Sequence, residues 1–260
     1  MLTHMDLDCI YNTDCLKGME EIHDKSIDAI ICDLPYGTTR NKWDSVIPLQ
    51  PLWGEYERII KDRGAIVLFS QMPFSATLVA SNPRLFKYEW IWQKENSTGF
   101  LNCRFAPLKA HENILIFGKS AAAFVQDSSN AMVYHPQMMP GKAYTAKHGR
   151  PSMNYDSKNM RGPFLRHYKA ERYPIDVMKF NRDTEKFHPT QKPVDLVRYL
   201  IRTYTETEGV VLDNCMGSGT TAIAAMREQR HFVGFETDKK YFEIAQRRID
   251  AERTALATNE

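Results

Sequence analysis

Asp33-Leu34-Pro35-Tyr36 closes the apolar run Ile27, Asp28, Ala29, Ile30, Ile31, Cys32. A strand running straight into a carboxylate, a proline and an aromatic ring can perform one kind of chemistry well. The carboxylate accepts one hydrogen of an exocyclic amino group and a main-chain carbonyl accepts the other. With both hydrogens held, the nitrogen lone pair is no longer drawn into the heterocycle and can be aimed at an electrophile. Pro35 stiffens the turn. Tyr36 offers a ring face on which an extracted base can stack, worth roughly 1–3 kcal/mol. That offsets part of the few kcal/mol that unstacking a base costs. So short a string is often a plain turn, and a second constellation is needed to weigh it.

That constellation lies in residues 210–249. Val210, Val211 and Leu212 end in Asp213; Asn214, Cys215 and Met216 lead to Gly217-Ser218-Gly219, Thr220, Thr221 and Ala222. An apolar periodic segment follows to Met226, and Phe232 to Phe235 then ends in Glu236. This reads as strand, glycine turn, helix, strand, acid: one βαβ unit of a nucleotide-binding fold. Gly219 is followed by Thr220 and no lysine, which excludes a P-loop. The string matches G-x-G-x-x-A of dinucleotide sites, but an acid at the first strand tip repels a pyrophosphate. Asp213 suits a cationic ligand instead, and Glu236 suits ribose hydroxyls. S-adenosylmethionine combines an amino group, a sulfonium, a ribose and an adenine without phosphate, and is the expected cofactor.

The elements that must position these groups follow in order. A strand is expected over 7–11, ending at Asn12-Thr13-Asp14-Cys15, and Leu16, Met19 and Ile22 recur at helical spacing. After the strand at 27–32 and a polar loop at 38–44, Pro51 opens a helix with Leu52, Tyr56, Ile59 and Ile60 on one face. Strands are expected at 65–69, 86–92 and 113–117, with a helix between Pro73 and Pro83. A helix carrying Leu196, Val197, Leu200, Ile201 and Tyr204 leads into the glycine-turn unit, and Asp238 caps a last helix through Ile249. Strands alternating with helices imply an α/β fold, a mostly parallel twisted sheet.

With 260 residues, 43% hydrophobic and 25% charged, the chain can bury one sizeable core with room for one insertion. Five cysteines form no C-x-x-C pair, which favours free thiols in a reducing compartment over disulfides or a metal site. Met1 to Asp6 shows no basic, apolar leader, and no apolar run approaches the roughly 20 residues of a membrane helix. A cytoplasmic location without membrane contact is the expectation. Residues 119–186 differ in texture. Periodicity fades, glycines and prolines recur, and twelve Lys and Arg stand against six Asp and Glu, a net +6 in a chain of net +2. A basic, tyrosine-interleaved insertion in an otherwise acidic α/β domain points to nucleic acid.

These motifs together resemble the DNA amino-methyltransferases acting on adenine N6 or cytosine N4. Asp33 to Tyr36 is similar to their D/N/S-P-P-Y motif and Asp213 to Gly219 to their cofactor motif. The order, catalytic motif, basic insertion, His188-Pro189-Thr190-Gln191-Lys192-Pro193, then Asp213 to Gly219, is that of the circularly permuted β class. Trp92-x-Lys94 and His111-Glu112-Asn113-Ile114-Leu115 resemble it too, so the likeness spans about residues 8–250. It implies a Rossmann-like methyltransferase fold with helices on both sheet faces and an irregular inserted DNA-recognition region. The division would be 1–118, the catalytic half; 119–187, target recognition; and 188–260, the cofactor half.

The resemblance implies that Asp33 and the Leu34 carbonyl bind the target amino group while Pro35 and Tyr36 shape its site. Asp14, with Cys15 beside it, would meet the cofactor adenine. Asp213, Gly217, Gly219 and Thr220 would hold the methionine end, Glu236 the ribose, and Thr190 or Lys192 the cofactor carboxylate. Lys142, Lys147, Arg150, Arg161, Arg166 and Arg172 are the expected DNA contacts. The partner is double-stranded DNA, with room for a homodimer and a cognate restriction endonuclease. Two departures stand out: Leu34 replaces the first proline, and Asn214-Cys215 replaces the usual Pro-Phe. Adenine N6 is the expected acceptor because cytosine enzymes more often carry serine where Asp33 stands. N4-cytosine methylation and an inactive, DNA-binding regulator or subunit are the alternatives; RNA and a protein glutamine amide also present a planar NH2.

Overall fold

A computed structural model describes residues 5–37, 44–122, 128–148 and 164–258. In chain order the elements are β1 (Cys9–Tyr11), α1 (Cys15–Glu20), β2 (Ile27–Asp33), α2 (Leu49–Ile59), β3 (Ile60–Ser70), α3 (Phe74–Ser81), β4 (Phe86–Thr98) and β5 (Lys109–Gly118). Then come β6 (Met139–Pro140), β7 (Tyr144–His148), β8 (Phe164–Tyr168), β9 (Glu171–Arg172) and β10 (Val177–Lys179). The chain closes with α4 (Val194–Tyr204), β11 (Val210–Asp213), α5 (Thr220–Arg227), β12 (His231–Phe235) and α6 (Lys239–Ala257).

Eight strands form one sheet in the order β1-β12-β11-β2-β3-β5-β4-β10, and only β5 runs antiparallel to its neighbours. The sheet is buried on both faces, which is why β2 over 29–32 and β3 over 65–69 read as unbroken apolar runs rather than alternating ones. Side chains of β2 part between two cores. Ala29 and Ile31 join Leu196, Leu200, Ala222 and Ile249 from α4, α5 and α6 on one face. Ile27, Ile30 and Cys32 join Met19, Leu52, Tyr56 and Leu78 from α1, α2 and α3 on the other. The expected α/β architecture with helices on both faces is the observed one.

Local signals held where chemistry dictates them. Asp238 caps α6 by accepting from the Lys240 and Tyr241 N–H groups. Helix α2 begins at Leu49, ahead of Pro51, which sits in the first turn where its missing N–H costs nothing. Helix α6 continues beyond Ile249 to Ala257 on mostly exposed residues, Glu252 apart, so no apolar stripe announced it.

The basic segment is narrower than its composition suggested. Residues 119–122, 128–135 and 176–187 belong to the main body: Lys119 donates to the Ile60 carbonyl at 2.8 Å, Met132 is buried, and β10 pairs with β4 along the sheet. The separate compact unit is Pro136–Ile175. Its described part is regular, with two short antiparallel pairs, β6 with β9 and β7 with β8. Within it Tyr144 and Tyr168 stack at 4.6 Å and 8°.

Candidate active site

Strand β2 ends at Asp33, level with Phe69 of β3, at the carboxyl edge where open α/β sheets bind ligands. There a cavity of about 690 Å³ is lined by Asp14, Cys15, Asp33 to Tyr36, Lys94, Glu112, Lys192, Asp213 to Ser218 and Glu236, among others. Asp14 and Glu236, from opposite ends of the chain, thus line one cavity.

The target-side residues form a chain of charges. Tyr36 donates its hydroxyl to Asp33 Oδ1 at 2.7 Å, and Lys192 Nζ donates to Asp33 Oδ2. Lys192 also lies 3.4 Å from Glu112 Oε2, and Lys94 Nζ pairs with Glu112 Oε1 at 2.5 Å. Lys94, Glu112 and Lys192 are all buried. Signs alternate along Lys94, Glu112, Lys192, Asp33, so four charges leave water with no net charge. That is the condition under which a buried ionic group persists. Burial pushes the Asp33 carboxyl up; the Lys192 ammonium and the Tyr36 hydroxyl oppose the rise, while the Glu112 charge adds to it. Burial also works against ionised Glu112, but Lys192 and Lys94 outweigh it and hold that carboxyl below its usual range. Lys192 is held above its usual range because Asp33 and Glu112 outweigh its own burial.

Lys192, offered with Thr190 for the cofactor carboxylate, donates to Asp33 in this structure. The sequence showed both residues but not that the chain brings them together across 159 positions. Lys94 and Glu112 were visible only as parts of strings resembling family motifs, without a role; the register Trp92↔Glu112 on neighbouring strands places them side by side. The Leu34 side chain is buried in the core. Tyr36 packs its ring against Phe74 at 5.2 Å, which fixes the ring plane while the hydroxyl holds Asp33.

On the other side of the cavity the glycine turn is built by its neighbours. Asp213 is buried; Oδ2 accepts from the Thr221 hydroxyl at 2.6 Å and Oδ1 from the Cys215 N–H at 3.0 Å. Its first task is to hold the turn. Gly217 and Gly219 adopt φ of 54° and 86°, the left-handed region that favours glycine. Glu236 Oε2 accepts from the Gly217 N–H at 2.8 Å and Oε1 from the Asp238 N–H at 2.7 Å. Asp14 uses Oδ1 to cap α1, accepting from Leu16 and Lys17. Thr190 shares its hydroxyl with His188 Nδ1 at 3.0 Å. Burial, aided by the Lys192 charge, pushes His188 down to about 4, leaving it neutral. The thiols at the turn are kept protonated, Cys15 by its hydrogen bond with Cys215 and by burial, and Cys32, pushed up to about 12, by burial. Neither is poised as a nucleophile.

Asp213 gives a direct stability test. Burial, against hydrogen bonds from Thr221 and Cys215, pushes its carboxyl up to about 6. A folded-state value above the unfolded one, near 3.9, means the folded chain binds the extra proton between about pH 4 and 6. Stability contributed by Asp213 therefore falls as pH rises through that window, by about 2–4 kcal/mol. Asp213→Asn keeps both bonds, with Nδ2 donating to Thr221 Oγ1, and has no proton to lose. Urea unfolding from pH 4 to 8 should show the wild type losing ground to the variant as pH rises. Parallel curves would mean that Asp213 is not strained by ionisation.

In the Pro136–Ile175 unit, Lys142 and Lys147 are exposed. Arg166 lies over the Tyr168 ring at 5.3 Å. Arg172 donates to the Lys169 and Glu171 carbonyls at 2.8 Å and to that of Lys142, with its guanidinium 4.7 Å from the Tyr144 ring. Arg150 and Arg161, and the 38–43 part of the polar loop, lie outside the described residues. Among the described residues no group of His, Cys, Asp and Glu could hold a metal ion, and no helix is long and apolar enough to cross a membrane.

A mostly parallel sheet carrying an acid-proline-tyrosine turn and a glycine turn on one edge defines a methyltransferase architecture. The chain belongs to the N6/N4 DNA methylase family, whose pattern it matches over residues 27–247. It is 26% identical over 258 residues to the type II methyltransferase M1.MboII of Moraxella bovis, covering 91% of this chain and 94% of that one. It is 23% identical to the type II methyltransferase M.HindIII of Haemophilus influenzae, covering 95% and 96%. The fold is similar to that of an M1.HpyAVI–SAM complex, with TM-score 0.60, 24% identity and 92% and 98% coverage. It is also similar to the cytosine-N4-specific PvuII DNA methyltransferase, with TM-score 0.65, 15% identity and 96% and 93% coverage.

Proposed function

We propose that the protein transfers the methyl group of S-adenosylmethionine to N6 of an adenine turned out of a DNA duplex. The observation that carries this reading is the shared cavity: Asp33 with its ammonium and phenol partners on one wall, and the acid-flanked glycine turn on the other. The residues fit the cofactor. Asp14, Asp213 and Glu236 present carboxylates to the cavity, the turn lacks the lysine a phosphate would need, and the volume is that of a site for a ligand of this size. Glu236 and Asp14 would hold ribose and adenine, and the turn at Asp213 to Thr220 the methionine end. When bound, the cofactor supplies an electrophilic methyl on a sulfonium.

The protein's own residues prepare the nucleophile. Lys192 opposes the rise that burial gives the Asp33 carboxyl, favouring the carboxylate that accepts one amino hydrogen. The Leu34 carbonyl accepts the second, and Tyr36 supports the base. The nitrogen lone pair would then be localised toward the methyl group that the bound cofactor would supply, and Asp33, which accepts one amino hydrogen, would take the proton the nitrogen sheds. Lys142, Lys147 and the other bases of the inserted unit track the phosphates.

Aspartate at position 33 supports adenine, whereas the fold likeness to a cytosine-N4 enzyme keeps that base as the second reading. The type II designation of both relatives supports a place beside a cognate restriction nuclease. Mass spectrometry of nucleosides from DNA incubated with the protein and labelled cofactor should show N6-methyladenine. N4-methylcytosine alone would transfer the assignment to cytosine, and an unlabelled product pool would leave a binding protein without catalysis.

A further inference from the structure

The hairpin β4–β5 runs well past the catalytic edge. Asp33 is level with Phe69, Phe69 with Ile114, and Ile114 with Trp90. From Ile114, β5 extends five residues further, to Lys109, about 16 Å at the usual rise per strand residue. Thr98, which pairs with Lys109, lines the same cavity as Asp33 and Tyr36, so the tip begins at the cavity mouth. That tip is apolar and bare: Phe100 is 77% exposed, Leu101 94% and Phe105 90%. Its backbone is nonetheless set. Gly99 turns the chain at φ 90°, Asn102 and Cys103 N–H bond back to Gly99 and Phe100, and Phe105 and Ala106 N–H both bond to the Asn102 carbonyl. Residues 99–111 contain Arg104, Lys109 and His111 and no acid.

We propose that Phe100, Leu101 and Phe105 form a wedge that enters the DNA stack beside the target and fills the space the extruded base leaves. The proposal rests on the reading of the protein as a DNA amino-methyltransferase and adds how the base is kept out. Solvated rings on a preset turn gain most by entering a base stack, and apolar wedges are the usual device for opening one. Arg104 and Lys109 supply the charge complement to the flanking phosphates. A second copy of the chain is the poorer occupant, since three side chains on a narrow tip cover far less than the roughly 800 Å² per partner of a stable interface.

The triple variant Phe100→Ser, Leu101→Ser, Phe105→Ser tests it on duplexes carrying the site found by sequencing methylated DNA from expressing cells. Cofactor affinity and thermal midpoint should match the wild type. Methyl transfer to the paired target should fall at least about tenfold, and the fluorescence rise of 2-aminopurine at that position should vanish. Placing the target base opposite an abasic site should restore transfer, because extrusion then needs no wedge. Phe100→Trp with Phe105→Trp should keep activity. Unchanged transfer and fluorescence, or a loss that the abasic duplex does not rescue, would overturn the wedge. So would a loss that tracks dissociation of a dimer in sedimentation, which would assign the tip to a second copy. Should the wild type methylate no DNA, the functional reading falls; anisotropy with mixed-sequence duplex then decides the tip, equal affinity of variant and wild type overturning it.

Discussion

Asp33→Ala is expected to lose methyl transfer by about a hundredfold to a thousandfold or more while still folding and binding cofactor. The interaction it removes strengthens as the amino nitrogen commits its lone pair, so the loss falls on the chemical step. Folding should survive at reduced stability: Lys192 keeps Glu112 at 3.4 Å, but that one carboxylate then serves both Lys192 and Lys94. Asp33→Asn should fare little better: one amide oxygen can accept, but the NH2 must face either Tyr36 or the Lys192 ammonium, and the ammonium cannot accept. Single-turnover assays with saturating cofactor, beside calorimetry of cofactor binding, separate the two steps. Near-normal turnover in Asp33→Ala would remove this carboxylate from the mechanism.

Lys192→Met should produce the second largest effect, with a pH signature. Asp33 and Glu112 would be left facing one another with only Lys94, on the far side of Glu112, as counter-ion. Removing one member of a buried ion pair costs about 3–5 kcal/mol of stability. The Asp33 carboxyl, already raised by burial, loses the Lys192 charge that lowers it. A higher value means a larger protonated fraction at neutral pH, and protonated Asp33 cannot accept from the target amine as required. Activity at pH 7 should collapse, and the rising acid limb of kcat should move to higher pH, with partial recovery toward pH 9. A role at the cofactor carboxylate, the expectation from sequence, would instead raise KM for cofactor and leave that limb in place. Measuring both parameters across pH distinguishes the two.

The sequence by itself determined the elements that signal through periodicity and caps, and the groups whose chemistry is local. The strand tips at Asp33, Asp213 and Glu236, the glycines at 217 and 219 and the cap at Asp238 were all legible because apolar runs, φ requirements and capping act over a few residues. Family resemblance then joined the two motifs into one enzyme. Strand order lay beyond both, since the choice between neighbours is made by packing across hundreds of positions. So did the pairing of Lys192 with Asp33 and of Lys94 with Glu112: a lysine near a glycine turn looks alike in sequence whether it meets a ligand or a buried carboxylate. The polar outer reaches of β4 and β5 gave no alternating pattern because no core covers them; their ladder alone holds them as strands. The compact unit Pro136–Ile175 is shorter than the expected insertion 119–187 for the same reason. Composition marks where periodicity fades, but the strand at Val177–Lys179 and the buried Met132 are drawn into the main body by contacts distant in sequence. Charge and residue type are local properties, while burial and partnership exist only once the chain has closed on itself.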